Sequence, residues 1–274
     1  MKAGAPHTAR DPEIASFLEG IYSECNTLGR LRRDPLACVR PFSDPADREV
    51  AAIVCSMLAF GSVDLIMRAC SRALEPLGDR PAASLARMGE GELGEAWGSF
   101  QYRFCFARDM IAVMRAIKRA RESHGSLEDL FLRGDPGGPD VVGALGAFVR
   151  AMKDLGREGG RTFREGLLPD PARGSACKRP FLALRWLSRE DRVDPGGWAR
   201  IRSSRLVVPL DLHMSRVCYG RLGFMSSRRA NLRNALEATA AFRLYAPDDP
   251  VKFDFALTRP GIDPVPGDER FGCA

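Results

Sequence analysis

The sequence predicts an all-α protein. Apolar residues recur at helical spacing in nearly every readable segment, and Asp-Pro or Gly-rich punctuation marks where those segments start and stop. Strand-like alternation is absent, apart from Leu206-Val207-Val208, which is too short to anchor a sheet. The chain of 274 residues, 45% of them apolar, has ample material for a buried core and shows no internal repeat.

Asp11-Pro12-Glu13 opens the first helix, with Ile14, Phe17, Leu18, Ile21 and Tyr22 on one face. Ser43-Asp44-Pro45 opens a second, carried by Val50, Ile53, Val54, Met57 and Leu58. It is apolar enough to be central and ends at Phe60-Gly61-Ser62. Residues 63–77 make a third helix, broken by Gly78 to Pro81. Gly89-Glu90-Gly91-Glu92 reads as a loop, and Gln101-Tyr102-Arg103-Phe104 as core flanking a helix or, alternatively, as an aromatic stacking platform. Asp109 to Glu122 is amphipathic, and a short helix follows from Gly125-Ser126 to Phe131. Gly134 to Pro139 is a surface loop, Val141 to Leu155 is helical, and residues 156–174 form a polar connection. Helices are expected from Lys178 to Ser188, Asp211 to Leu222 and Asn231 to Leu244, giving about ten in all. The tail from Asp263 to Ala274 reads as poorly ordered.

Met1 to Arg10 lacks the apolar centre of a signal peptide. The longest apolar stretch, Val50 to Phe60, is far short of the roughly 20 residues that cross a bilayer. The 8 cysteines contain no CxxC pair; Cys55, Cys70 and Cys105 lie in apolar runs and read as small buried hydrophobes. These features predict a cytoplasmic protein with reduced thiols, no membrane partner, no metal and no cofactor.

Charge is unevenly placed. The chain carries 41 Lys plus Arg against 35 Asp plus Glu, a net +6. Residues 151–235 hold 18 basic against 8 acidic side chains, or +10, which leaves −4 for the remainder. Only Lys2, Lys118, Lys153, Lys178 and Lys252 are lysines, and guanidinium forks suit phosphate well. Compositional bias and simple solubility are the bland explanations. Arg173, Arg179, Arg185, Arg189, Arg216, Arg228 and Arg229 together form the positive face that backbone phosphate binding requires.

Two strings stand out inside this basic interval. Gly174-Ser175-Ala176-Cys177-Lys178-Arg179 is a small-residue turn that delivers a lysine to the first turn of an apolar helix. Pro209-Leu210-Asp211-Leu212-His213-Met214-Ser215-Arg216-Val217 places an aspartate at a helix N-cap after an extended strip. On residue type alone, Lys178 could be a phosphate contact or a solvated helix start. His213, two positions past Asp211, is expected to point away from it as a packed histidine. Trp186 reads as core, and Trp198 as core or a stacking residue for an extruded base. Asp254 is expected to cap or to pair internally with Lys252 or an arginine.

These strings resemble a known superfamily. The 174–178 turn followed by Phe181-Leu182-Ala183-Leu184 looks like the helix-hairpin-helix of endonuclease III-like (HhH-GPD) base-excision DNA glycosylases, where Gly-x-Gly-x-Lys precedes a small, apolar helix. Residues 209–217 resemble that superfamily's Val-Asp-Thr-His-Val-x-Arg-Val segment. Asp47-Arg48-Glu49-Val50, Leu58-Ala59-Phe60-Gly61, Arg185-Trp186-Leu187 and Asp249 to Leu257 are similar to a bacterial domain-of-unknown-function family related to those glycosylases. The likeness spans roughly residues 13–262.

The resemblance implies two helical domains, 45–195 and 1–44 plus 196–274, with a cleft between them. It implies Lys178 as the amine that attacks sugar C1′, expels a damaged base and leaves a Schiff base, with Asp211 as its electrostatic partner. Double-stranded DNA is the implied partner, contacted by Arg173, Gly174, Ser175, Arg179, Arg216 and Trp198. The activity implied is that of a DNA N-glycosylase and abasic-site lyase, in a cytoplasmic, nucleoid-associated protein. The alternatives are a non-catalytic nucleic-acid-binding descendant of the fold, and a protein-binding module that keeps the lysine and aspartate as a structural pair. Three departures stand out: Ala176 replaces the second hairpin glycine, Asp191 to Ser204 looks like an insertion, and the iron–sulfur cysteines are missing.

Overall fold

A computed structural model describes residues 9–272; most of the Met1 to Arg10 stretch read for a signal peptide, and Cys273 and Ala274 of the tail, lie outside that range. The described chain is all-α, with twelve α-helices. They are α1 (Pro12–Cys25), α2 (Pro45–Leu58), α3 (Val63–Leu74), α4 (Pro81–Arg87), α5 (Glu90–Trp97) and α6 (Ala107–His124). After them come α7 (Leu127–Arg133), α8 (Val142–Leu155), α9 (Lys178–Ser188), α10 (Leu212–Arg216), α11 (Leu232–Arg243) and α12 (Asp254–Ile262).

The expected caps form. Asp11 accepts from the Glu13 N–H, Asp44 from Ala46, Ser126 from Asp129 and Asn231 from Asn234, each satisfying a donor the helix leaves free. The central expectation for α2 also holds: every residue from Glu49 to Leu58 is buried, and the helix packs against α3, α4 and α9. Cys55, Cys70 and Cys105 are buried, as their apolar surroundings predict. None of the described helices is long and apolar enough to cross a membrane.

Burying all sides of α2 means burying Glu49, and its carboxylate is fully used. It pairs with Arg121 of α6, accepts the Leu127 N–H at the start of α7 at 3.1 Å, and accepts the Trp198 indole N–H at 3.1 Å. One acidic side chain thus ties together four parts of the chain.

The structure corrects several element assignments. Residues 90–97, expected to begin as a loop, form α5, because Glu92 reaches back to accept the Gly89 N–H at 2.7 Å and closes the first turn. Pro81, read as a breaker, starts α4, where its missing N–H costs nothing, and Asp47 accepts the Ala82 N–H at 2.7 Å. The strip before α6 does flank a helix and buries Tyr102, but it does so as a short antiparallel ribbon, Gln101–Tyr102 (β1) with Cys105–Phe106 (β2), that leaves Phe104 exposed at its turn. The 211–222 helix divides into α10 and a π-helical turn, Val217–Arg221. The last α-helix, α12, unassigned by periodicity, is buried almost all round and packs on α1 and α10.

The tail is anchored through Asp263, Asp268 and Phe271, against the expectation of poor order. Arg30 grips both Asp268 carboxylate oxygens at 2.6 and 2.7 Å and the Asp263 carbonyl at 2.9 Å, while Phe271 meets Phe17 edge-on.

The basic interval is also partly internal. Arg185 and Arg189 are buried and cannot meet phosphate: Arg185 pairs with Asp194 and Asp254, and Arg189 with Asp191, Asp194 and Asp249. Burying these guanidinium groups demands carboxylate partners, and these come both from the loop directly after α9 (Asp191, Asp194) and from distant Asp249 and Asp254.

Candidate functional site: a lysine–aspartate pocket

The turn before α9 is pinned from both sides. Gly174 adopts a left-handed conformation (φ +74°), and its carbonyl accepts the Leu232 N–H at 3.1 Å. Ser175 bridges to Asn231, and its hydroxyl accepts the Cys177 N–H at 3.3 Å. Cys177 itself is left-handed (φ +47°), with its thiol donating to the Pro169 carbonyl at 3.4 Å. Lys178 therefore leaves this turn as the first residue of α9 with little backbone freedom.

Asp211 arrives on a buried extended strip, whose Val208 N–H donates to the Thr239 hydroxyl at 3.0 Å. Its two carboxylate oxygens divide the work. Oδ1 caps α10 by accepting the Met214 N–H at 2.8 Å, and Oδ2 lies 3.2 Å from Lys178 Nζ. The side chains are 33% and 18% exposed, so the pair is sheltered but reachable. Burial pushes the Asp211 carboxyl up; the Lys178 ammonium and the Met214 N–H outweigh it and hold the group below the usual carboxylate range.

Both side chains line one pocket of about 350 Å³. Its walls come from residues 33–35, the loop between α2 and α3, the start of α3, the first turns of α9, residues 209–213 and α12. His213 lines it too, contrary to the expectation that it points away. Helical spacing does not apply across that interval, because Asp211 is a cap with extended backbone (φ −114°, ψ −169°). Burial pulls the His213 imidazole below its ordinary value, against the Asp211 charge.

Deeper in the pocket lie two further ion pairs, Asp254 with Arg185 and Arg259 with Asp34 at 3.0 Å. Asp254 pairs with an arginine, as anticipated, whereas Lys252 binds Glu19. Burial drives the Asp254 carboxyl up to about 6, with Arg185 opposing. Asp34, Asp254 and Arg259 were invisible as site residues in the sequence. Only the pocket shows that residues so far apart in the chain share one floor.

The other sequence-derived candidates separate into two groups. Arg173, Gly174, Ser175 and Arg216 are exposed. Beside the 174–175 turn, the amide of Asn234 donates to the Ser227 and Arg229 carbonyls and fixes the loop that carries exposed Arg228 and Arg229. Arg179 and Trp198 need correction as surface contacts. Arg179 turns inward, donating to the Met57 carbonyl at 3.2 Å and to the Gly166 carbonyl, and burial lowers it to about 10. Trp198 is 2% exposed, packed on Phe131 and Phe148 with its N–H spent on Glu49, so it cannot stack on a ligand. Trp186 is core, as expected. Among the described residues, no group of three or more His, Cys, Asp or Glu could hold a metal ion.

Fold and site together define an all-α protein with a lysine–aspartate pair at a polar pocket backed by buried ion pairs. The chain belongs to the family described as protein of unknown function DUF2400, whose model matches residues 34–263. No curated protein and no solved structure matches it.

Proposed function

We propose that this protein is a DNA glycosylase and abasic-site lyase of the helix-hairpin-helix type, acting through Lys178. The observation that carries the reading is the 3.2 Å approach of Lys178 Nζ to Asp211 Oδ2 within a pocket of about 350 Å³. A nucleophilic amine needs a neighbour that holds its ammonium in place and then accepts or relays its proton, and Asp211 is positioned for both.

In the proposed step, the lone pair of neutral Nζ forms a bond to sugar C1′. The glycosidic bond breaks, and its electron pair leaves with the base. The proton displaced from nitrogen passes to Asp211 or solvent. Before it takes up that proton, Asp211 is charged at neutral pH and stabilises the positive charge that develops on the sugar. Ring opening then yields a protonated imine; a base (a solvent molecule or the Asp211 carboxylate) takes the acidified C2′ proton, the C2′–C3′ double bond forms, and the C3′–O bond breaks with its electron pair leaving on the 3′ phosphate. The two-domain arrangement, with a cleft that admits a flipped nucleotide, belongs to the same proposal.

Borohydride trapping on duplexes containing an abasic site or a panel of damaged bases tests it. Wild type is expected to give a covalent adduct, Lys178→Ala none, and Asp211→Asn roughly a hundredfold less. Absence of an adduct with wild type, while salt-dependent duplex binding persists, would leave a non-catalytic nucleic-acid-binding protein. Weak, salt-insensitive binding would remove nucleic acid altogether.

A further inference from the structure

We propose that the β1–β2 hairpin tip is a base-stacking site, where Phe104 offers its ring to a nucleobase beside the nucleotide in the pocket. Arg103 and Arg108 would flank it against phosphate. The inference rests on the nucleic-acid reading above and assigns that partner a second point of contact.

Arg103 and Phe104 form the two-residue turn of the ribbon. Arg103 is left-handed (φ +51°), a conformation that side chains bearing a Cβ disfavour, so the turn is held by its surroundings. Those surroundings belong to the pocket. The Tyr102 hydroxyl donates to the Phe60 carbonyl, in the loop that joins α2 to α3. Gly61 (φ +108°) approaches so closely that a Cβ there would lie 2.9 Å from Tyr102 Oη and 3.0 Å from Arg103 Nη1. From the other side, Arg164 Nη1 donates to the Phe104 carbonyl at 2.8 Å.

The Phe104 ring lies nearly parallel on Phe60, with centroids 4.2 Å apart and planes 15° from coplanar. Phe60 itself lines the Lys178 pocket, and the Arg179 guanidinium sits 5.0 Å from its centroid. An aromatic stack therefore runs from the pocket wall to the surface, where Phe104 remains 38% exposed. Arg103 and Arg108 are exposed and have no carboxylate partner among the described residues. A flat apolar ring adjacent in the chain to exposed Arg103 and four residues before exposed Arg108 in the first turn of α6 matches a nucleobase on its anionic backbone, because every base has a π-face and loses its own stacking neighbour when the adjacent nucleotide is extruded. An apolar protein partner would cover the ring but leave both guanidinium groups without a counterpart.

The test is duplex binding at several salt concentrations, using DNA with an abasic-site analogue. Phe104→Ala is expected to weaken binding about tenfold with an unchanged salt slope, since stacking and not phosphate contact is lost. Phe104→Leu should fall with alanine, and Phe104→Trp should restore wild-type affinity. Melting temperatures check that these variants of an exposed residue stay folded. Wild-type affinity in Phe104→Ala or Phe104→Leu, or failure of tryptophan to rescue, overturns the stacking site. Absence of salt-dependent binding by the wild type instead overturns the nucleic-acid reading beneath it.

Discussion

Asp211 is a helix cap on one oxygen and an ion-pair partner on the other, and the two duties can be separated by substitution. Asparagine keeps the cap and removes the charge; alanine removes both. Asp211→Ala is expected to lose about 1 kcal/mol of stability in urea unfolding, and Asp211→Asn clearly less. The pH dependence has a definite sign. A carboxyl held below its ordinary value contributes stability that is present above the unfolded-state value near ~4 and lost as pH falls through the lower folded value. The gap between wild type and Asp211→Asn should therefore be constant at neutral pH and close in acid. A gap that widens in acid would contradict the assigned direction. At this same scale, His213 shows how a cap changes geometry: two residues that would diverge inside a helix meet at one pocket when the first lies just outside it.

Among the elements, α2 does the most to position the site, and Glu49 is the price of placing it centrally. Truncating Glu49 to alanine leaves Arg121, the Leu127 N–H and the Trp198 indole without their acceptor. Removing one partner of a buried pair typically costs about 3–5 kcal/mol, so Glu49→Ala should shift the urea midpoint strongly or yield little folded protein. A shift within the range of a surface substitution would refute the hub. Element boundaries were legible where local chemistry set them. Asp11, Asp44, Ser126 and Asn231 cap helices that begin where the sequence predicts. Glycine content alone marks Gly89-Glu90-Gly91-Glu92 as a loop, whereas the reach of Glu92 back to the Gly89 N–H makes it the start of α5. Periodicity missed α12 because a helix buried on nearly every face has no polar stripe to mark its period.

Over the whole molecule, the question is where the +10 of residues 151–235 goes. Part turns inward: Arg185 and Arg189 neutralise carboxylates from residues 191–194, 249 and 254. Arg200 and Arg205 bind acids of α7 and of the loop that follows it. Part stays outside, with Arg173, Arg228 and Arg229 carried by the turn before α9 and the loop beside it. If that surface meets DNA, Arg228→Ala with Arg229→Ala should reduce the slope of log K against log salt by up to about two. An unchanged slope would move the contact elsewhere on the surface.

The sequence alone determined the helical class, the main caps, the burial of α2, and two short strings that hold a lysine and an aspartate. Each of these follows from interactions between near neighbours, which spacing and residue type report directly. Tertiary structure decided which charges are surface and which are core, turned Arg179 and Trp198 inward, and brought Asp34, His213, Asp254 and Arg259 to one pocket. Those outcomes depend on partners far away in the chain. A buried charge and a solvated one look alike in sequence until the fold supplies, or withholds, the opposite charge.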